Sequence, residues 1–225
     1  MSGFYQLMMR SKGSSPTPPI PSRYQVVDYI QNPTKSSTYS ANCYIDTGVY
    51  PSHTNIVYFK VTFNIANPIS SSTSRIGTIF GTEGYGVTDD WKYGLKFGTY
   101  SAKTGGEAAV YGTQIDPSLV PNTKMTIELN DHIYTTSNGY SLTIGTYYSS
   151  SYRGTIKVFC VQGRSLNYQA NMKLYEFKLG ASPTSLVCDY VPVYDTVGNK
   201  YGVYNLIDDT FKSSATSTNF TGGND

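Results

Sequence analysis

The chain has 225 residues, of which 14% are charged and 14% are aromatic, and its formal net charge at pH 7 is +2. This length fits one all-β domain of the sandwich type, which commonly spans about 200–250 residues. The balanced charge, without any run of Lys and Arg, excludes the electrostatic footprint of a nucleic-acid-binding protein or of one that binds an anionic membrane surface. No stretch approaches the roughly 20 apolar residues that a membrane-spanning helix needs.

The first 22 residues are predicted to lie outside the folded domain. Residues 1–10 are apolar but too few to fold alone, and they lack the basic start of a secretory signal peptide, so we expect them to remain on a protein made in a cytoplasm. Residues 11–22 are rich in Ser and Pro and predict an extended linker. An apolar segment on a linker is typical of a peptide that docks in a partner's groove. The predicted anchor residues are Phe4, Tyr5, Leu7, Met8 and Met9.

From Tyr24 onward, apolar and polar residues alternate with the period of a β-strand. In residues 55–63, one side is predicted to carry Val57, Phe59, Val61 and Phe63, and the other Tyr58, Lys60 and Thr62. The same alternation groups on one side Met125, Ile127 and Leu129, then Leu142 and Ile144, then Tyr175, Phe177 and Leu179. Asn138-Gly139 predicts a hairpin, Gly105-Gly106 and Gly198-Asn199 predict turns, and residues 116–119 fit a single helical turn. Short strands separated by turns are typical of a β-sandwich.

Two sequence blocks resemble a known family. They are Tyr44-Ile45-Asp46-Thr47-Gly48-Val49 and the segment 201–211, which a small-residue tail at 219–223 follows. Together they resemble the concanavalin A-like lectin/glucanase (laminin G-like) jelly-roll domains of gut bacteria and their bacteriophages, over residues 24–223. The resemblance implies an all-β jelly-roll β-sandwich of two antiparallel sheets in residues 23–225. It also implies that the strand near 43–49 neighbours the strands at 186–194 and 201–206.

Catalysis is not predicted. Hydrolases of the resembled fold use paired carboxylates, in the pattern Glu-x-Asp-x-x-Glu on one strand. The nearest match starts at Glu128, but it has Asn130 in place of the middle acid and Ile133 in place of the last. The histidines, His53 and His132, have neither metal-ligand spacing nor a nucleophile motif beside them. We therefore expect neither an enzyme nor a cofactor.

Cysteines and acidic pairs favour structural roles. Cys43, Cys160 and Cys188 are odd in number and widely spaced, which favours buried free thiols over a disulfide framework or a zinc site. Laminin G-like domains often hold calcium, and Asp89-Asp90 and Asp208-Asp209 are adjacent acidic pairs. Adjacent Asp residues in turns more often cap the backbone in Asx turns, so no metal site is predicted.

Two Tyr-rich segments are candidates for carbohydrate binding. Sugar sites combine a flat apolar ring, on which the C–H face of the sugar lies, with carboxylates that accept hydrogen bonds from its hydroxyl groups. Residues 84–94 contain this mixture around the only Trp of the chain, and residues 147–153 contain a similar one. Tyr-rich loops also serve protein interfaces, which is the alternative. The candidate carbohydrate-binding residues are Tyr85, Asp89, Asp90, Trp91, Tyr93, Tyr147, Tyr148 and Tyr152.

These features together suggest a bacteriophage virion protein, a head or tail fibre-like decoration on the virion surface. We expect residues 1–10 to bind other capsid or tail proteins, while a lectin-like homo-oligomer attaches to host cell-surface polysaccharide. One alternative is a carbohydrate-binding module of a gut bacterium without a particle. A second is a glycoside hydrolase with an unrecognised acid pair. Location of the gene among capsid and tail genes would separate the first two, and a glycan array would address the third.

Overall fold

The structure is a computed structural model that describes residues 19–33, 43–50, 58–65, 75–83, 91–99, 108–110, 113–115, 122–131, 133–143, 154–162, 166–167 and 171–225. Within these ranges every regular element is a β-strand, which confirms the all-β prediction. In chain order the strands are β1 (Tyr24–Val26), β2 (Tyr29–Gln31), β3 (Ile45–Asp46), β4 (Tyr58–Ile65), β5 (Arg75–Glu83), β6 (Trp91–Thr99), β7 (Ala108–Val110), β8 (Thr113–Ile115), β9 (Lys124–Asn130), β10 (Ile133–Thr136), β11 (Ser141–Thr143), β12 (Lys157–Val158), β13 (Val161–Gln162), β14 (Leu166–Asn167), β15 (Met172–Ser182), β16 (Ser185–Asp195), β17 (Lys200–Asn205), β18 (Thr210–Lys212) and β19 (Thr221–Gly223).

These strands form two large sheets. The first sheet has the order β11-β10-β9-β4-β15-β16-β17-β18, with β1 paired to β16 and β2 lying between β15 and β19. The second sheet has the order β14-β13-β5-β6-β7-β8, with β12 joining β5 to β3. All pairs are antiparallel except the single bridge between β13 and β5. Large antiparallel sheets fit the predicted β-sandwich.

The two sheets share one core. As predicted, Phe59, Val61 and Phe63 of β4 point inward, and so do Met125, Ile127 and Leu129 of β9. The ring of Phe80, from the second sheet, lies 4.9 Å from that of Phe59 and 5.2 Å from that of Phe177, both in the first sheet. These edge-to-face contacts join the layers, because aromatic side chains bury the largest apolar areas in a core. Val57 and Ile144 lie outside the described residues.

The predicted alternation in β15 is wrong at Tyr175. Leu174 pairs with Phe63 and Glu176 pairs with Thr62, so Tyr175 is an extra residue in a β-bulge. Phe177 and Leu179 point into the core as predicted, but Tyr175 is half-buried on the other face, where its hydroxyl bonds Asp225. The bulge therefore places Tyr175 and Glu176 on the same outward face of the sheet.

The predicted neighbours near the chain ends are partly correct. β16 and β17 pair directly, from Tyr190 opposite Asn205 to Asp195 opposite Lys200. β3 does not lie beside them, because it belongs to the second sheet and pairs with β12. Instead, β2 pairs with β19, with Ile30 opposite Gly222, so an early and a late segment of the chain are joined in the first sheet.

Two predicted turns are present. Asn138 and Gly139 connect β10 to β11, and Gly139 has a φ of +88°, a backbone conformation that glycine adopts without steric cost. Gly198 and Asn199 connect β16 to β17, where Asn199 has a φ of +50°. The turn predicted at Gly105-Gly106 and the helical turn predicted at 116–119 lie outside the described residues.

The segment that leads into β1 packs on the outer face of the first sheet. Ile20 and Tyr24 cover a small second core that contains Val193, Tyr204 and Leu206. The Tyr24 ring also lies 5.1 Å from that of Phe211. Packing therefore begins within the predicted linker, at Ile20.

Arg23 fixes this segment to the sheet. Its Nε and Nη2 donate to the two carboxylate oxygens of Asp195, at 2.8 and 2.7 Å. This bidentate bond holds the pKa of Asp195 well below its usual range. The chain therefore enters the sandwich at a fixed position and direction.

Candidate binding face

Most of the candidate site residues lie outside the described part of the chain. The carbohydrate-binding candidates outside it are Tyr85, Asp89, Asp90, Tyr147, Tyr148 and Tyr152. All five anchor candidates also lie outside it, namely Phe4, Tyr5, Leu7, Met8 and Met9. Trp91 and Tyr93 belong to strand β6, where their backbones pair with Glu83 and Thr82. The first Tyr-rich segment therefore ends in a strand of the second sheet.

The Tyr-Ile-Asp-Thr-Gly block contains a structural clasp. Asp46 accepts hydrogen bonds from the hydroxyl of Thr155 at 2.7 Å, the Nζ of Lys157 at 2.5 Å and the backbone N–H of Gly48 at 3.0 Å. Burial alone would raise the pKa of Asp46, but these donors outweigh it and lower the pKa. The hydroxyl of Thr47 donates to the carbonyl of Ile156 at 2.8 Å. These bonds explain the carboxylate and the hydroxyl of the motif, and the φ of +76° at Gly48 explains its glycine.

The remaining residues singled out in the sequence have structural roles where they are described. The three cysteines are buried and not joined in disulfides, as predicted, and burial raises the pKa of Cys188 to about 11. Asp208 accepts bonds from the backbone N–H of Thr210 at 3.2 Å and from its hydroxyl at 2.6 Å. This is the Asx-type capping expected of an acidic pair in a turn.

A polar surface lies on the side of the first sheet that faces away from the shared core. We call it the polar face, and it is carried by β9, β4, β15, β16 and β2. One part of it, the charged ladder, crosses adjacent strands because Glu128 lies opposite Lys60, Lys60 opposite Lys178 and Lys178 opposite Asp189. Beside it lies the tyrosine end. Its members are Tyr29, Lys124, Lys173, Tyr175 and Asp225.

Opposite charges are paired within the charged ladder. Glu176 lies between two ammonium groups, with Lys60 Nζ at 3.0 Å and Lys178 Nζ at 3.3 Å from its carboxylate oxygens. Lys178 Nζ is also 3.5 Å from an oxygen of Asp189. Burial favours a higher pKa for Glu176, but the two lysines outweigh it and lower the pKa. The ladder therefore places two lysines among three carboxylates, and the two lysines keep Glu176 ionised.

Hydroxyl groups border the charged ladder. The hydroxyls of Thr62 and Thr126 are 2.9 Å apart, and that of Thr62 also bonds Glu176. Tyr58 lies on the same face but is 3% exposed, and its burial together with the neighbouring Glu128 raises the pKa of its hydroxyl. Acceptors and donors that alternate across a sheet surface can bind a hydroxyl-rich ligand.

The tyrosine end combines aromatic rings with ammonium groups. The rings of Tyr29 and Tyr175 are 5.9 Å apart and tilted by 56°. Lys173 Nζ lies 3.8 Å from the centre of the Tyr29 ring, and Lys124 Nζ lies 3.9 Å from the centre of the Tyr175 ring. Both are cation–π contacts. Asp225 completes the group by accepting bonds from Lys173 and from the Tyr175 hydroxyl.

The sequence did not predict this face as a site. The alternation did assign Lys60 and Thr62 to the polar side of their strand. It could not show which strands lie beside this one, because strand order depends on contacts between distant parts of the chain. Tyr175 was assigned to the wrong side, which hid the tyrosine end.

Within the described residues, no group of His, Cys, Asp and Glu side chains could hold a metal ion. The same part of the chain contains no helix that is long and apolar enough to cross a membrane. No protein-family model matches the chain, and neither the curated proteins nor the solved structures provide a match.

Proposed function

We propose that the protein is a non-catalytic glycan-recognition module, a concanavalin A-like jelly-roll sandwich, carried on a bacteriophage particle by residues 1–10. In this proposal the sandwich decorates the virion head or tail as a homo-oligomer and attaches to host surface polysaccharide. The polar face carries the proposal, because it offers two tyrosine rings beside a row of hydrogen-bonding groups. A sugar presents the complementary chemistry, with hydroxyl groups and apolar C–H faces.

The charge state of the polar face favours binding over hydrolysis. A glycosidase needs a carboxylic acid with a raised pKa as proton donor and a second carboxylate to act as base or nucleophile. The pKa of Glu176 is lowered instead, since Lys60 and Lys178 hold its ionised form despite burial. A carboxylate held in this way accepts hydrogen bonds from hydroxyl groups but does not donate a proton at neutral pH.

The segment that leads into β1 supports a sandwich that is carried on a particle by the residues before it. Ile20 and Tyr24 pack on the second core, and Arg23 binds the buried carboxylate of Asp195 through two parallel bonds. A peptide anchored in a partner would therefore hold the sandwich by a rigid junction at its base. The Pro-rich composition of residues 16–21 is typical of a semi-rigid spacer.

A glycan array tests the recognition proposal. We expect the wild-type protein to bind a subset of bacterial surface polysaccharides and a Tyr29→Ala variant to lose most of that binding, because it loses one of the two rings. The matched control is the double variant Trp91→Ala and Tyr93→Ala, which changes the site suggested by the sequence. Loss of binding in the double variant alone would move the site to that segment, and no binding by the wild type would refute the proposal.

Deletion of residues 1–10 tests the anchor. We expect the shortened protein to fold and to melt at the same temperature as the full chain, but to be absent from purified particles. The Trp91→Ala and Tyr93→Ala variant should still be incorporated. If the shortened protein co-purifies with particles at full occupancy, the anchor is wrong, and the carbohydrate-binding module without a particle becomes the better proposal.

A further inference from the structure

We propose that Lys173, Tyr175 and Lys124 form a subsite for the carboxylate of an acidic polysaccharide, and that Asp225 occupies this subsite until the ligand displaces it. The inference rests on the proposed function and deepens it, since it names an acidic rather than a neutral glycan as the ligand class. It also predicts that the Asp225 side chain competes with the glycan for this subsite and so weakens glycan binding.

The two oxygens of the Asp225 carboxylate mark the subsite. One oxygen accepts a bond from Lys173 Nζ at 2.5 Å, and the other accepts a bond from the Tyr175 hydroxyl at 2.6 Å. An ammonium group and a phenol that donate to separate oxygens of one carboxylate form a specific arrangement. The carboxylate of a uronic acid has the same shape and charge as that of Asp225, so it can accept the same two bonds.

Lys124 adds a second positive charge. Its Nζ lies 3.9 Å from the centre of the Tyr175 ring, and its charge contributes to the lowered pKa of Asp225, after the larger effects of Lys173 and Tyr175. The ammonium groups of Lys124 and Lys173 occupy faces of the two tyrosine rings. A sugar cannot stack on a ring face that an ammonium group covers, but both ammonium groups attract an anion, so a carboxylate on the sugar strengthens binding at this end of the polar face.

Asp225 is held in a way that permits displacement. Its side chain is 46% exposed, and that of Lys173 is 28% exposed, so water and salt screen the ion pair. The backbone of this segment stays attached independently, since the N–H of Asp225 donates to Asp28 and that of Asp28 donates to the carbonyl of Gly223. A polymer with a carboxylate on each sugar gains from repeated attachment when several copies of the protein bind it.

Equilibrium binding to polygalacturonate tests the inference, with dextran as the neutral glycan and poly-glutamate as the acidic peptide. We expect Asp225→Ala to bind polygalacturonate severalfold more tightly than the wild type, because the internal competitor is removed. Lys173→Gln should weaken binding by about tenfold, the typical effect of losing one charge-assisted hydrogen bond. Lys212→Gln is the matched control, since it removes the same charge elsewhere and should leave affinity within about twofold.

Several results would overturn the inference. Unchanged or weaker binding by Asp225→Ala, or equal losses in Lys173→Gln and Lys212→Gln, would show that these residues serve only structure. Binding to dextran but not to polygalacturonate would leave the glycan-recognition proposal standing and refute the carboxylate subsite. Tighter binding to poly-glutamate than to polygalacturonate would refute the polysaccharide as ligand. Failure to bind any glycan would refute the proposed function itself.

Discussion

The hydroxyl oxygen of Tyr134 is buried and has no hydrogen-bond partner in the described structure. Leaving such a group without a partner costs about 1–3 kcal/mol. We therefore expect Tyr134→Phe to keep or raise the free energy of unfolding, by up to about 1 kcal/mol, since the ring and its contact with Tyr140 remain. Chemical denaturation with urea measures the difference.

The control at this position is Tyr134→Ala, which removes the ring itself. It should lower the free energy of unfolding by about 3–5 kcal/mol, as expected for the loss of a fully buried aromatic side chain. A Tyr134→Phe variant that loses more than about 1 kcal/mol would show that the hydroxyl has a partner, such as a buried water molecule.

The sequence predicted well which side chains are buried, whereas it did not predict which residues they contact. The inward positions of Phe59 and Ile127 and the buried state of the cysteines follow from local alternation and residue type. Asp46 was noted only as part of a motif, because its partner Lys157 is 111 residues away in the chain. The bond between Lys173 and Asp225 spans 52 residues and has no local pattern.

At the scale of elements, Gly202 controls the pairing of β17 with β18. A Cβ at this position would meet the carbonyl oxygen of Lys212 and would lie 2.7 Å from Cε2 of Phe211. We expect Gly202→Ala to destabilise the protein by about 1–3 kcal/mol, the usual cost of overpacking, and to loosen β18 and the second core. Hydrogen exchange of the β18 amides would measure this loosening.

Gly223→Ala provides the comparison. Its added Cβ would have its nearest contact at 3.5 Å, with the Tyr29 hydroxyl, which is an ordinary van der Waals distance. We expect a stability change within about 0.5 kcal/mol. Equal losses of stability in the two variants would show that crowding of the added Cβ at Gly202 is not the cause of the destabilisation.

The existence of strands was predictable, whereas their local irregularities were not. Alternation located β4, β9, β15 and the hairpin at Gly139, since each follows from neighbouring residues. The bulge at Tyr175 was missed because an apolar tyrosine continues the pattern in the sequence while the strand shifts register to match β4. That shift also created the tyrosine end of the polar face.

At the scale of the whole molecule, four carboxylates among the described residues have lowered pKa values: Asp46, Glu176, Asp195 and Asp225. Their stabilising effect is fully present above their ordinary pKa values of 3.8 for Asp and 4.5 for Glu. It is lost as the pH falls through the lower values of the folded state. We therefore expect the melting temperature to be steady from neutral pH down to about pH 5 and then to fall steeply.

An Asp46→Asn variant isolates one contribution to this acid sensitivity. It should melt at a lower temperature than the wild type at pH 7, because Lys157 loses its charged partner, and the difference should shrink as the pH approaches 3. A constant difference in melting temperature across that range would indicate that Asp46 stabilises the clasp through hydrogen bonds and packing and not through its charge. Scanning calorimetry at several pH values makes the comparison.

The overall class was predictable from composition and alternation, whereas the arrangement of the sheets was not. A chain rich in Tyr, Gly, Ser and Thr with short alternating runs indicates an all-β sandwich. The assignment of β3 to the second sheet could not be predicted, because its partner β12 is a two-residue strand near Phe159, whose φ is +78°. Strand order depends on such distant partners, and no local pattern specifies them.

The pairing of β2 with both β15 and β19 has a consequence for how the protein is made. Contacts of this region join residues 140 and 190 positions apart in the chain, as between Asn32 and Met172 and between Gln31 and Thr221. During synthesis, the segment around β2 emerges from the ribosome long before its partners exist, so its backbone stays unpaired for most of translation. Folds dominated by such distant pairings fold in about milliseconds to seconds, and their unpaired strands can aggregate meanwhile. The first sheet is therefore completed only after translation of residue 223, and slower synthesis at low temperature should increase the yield of folded protein.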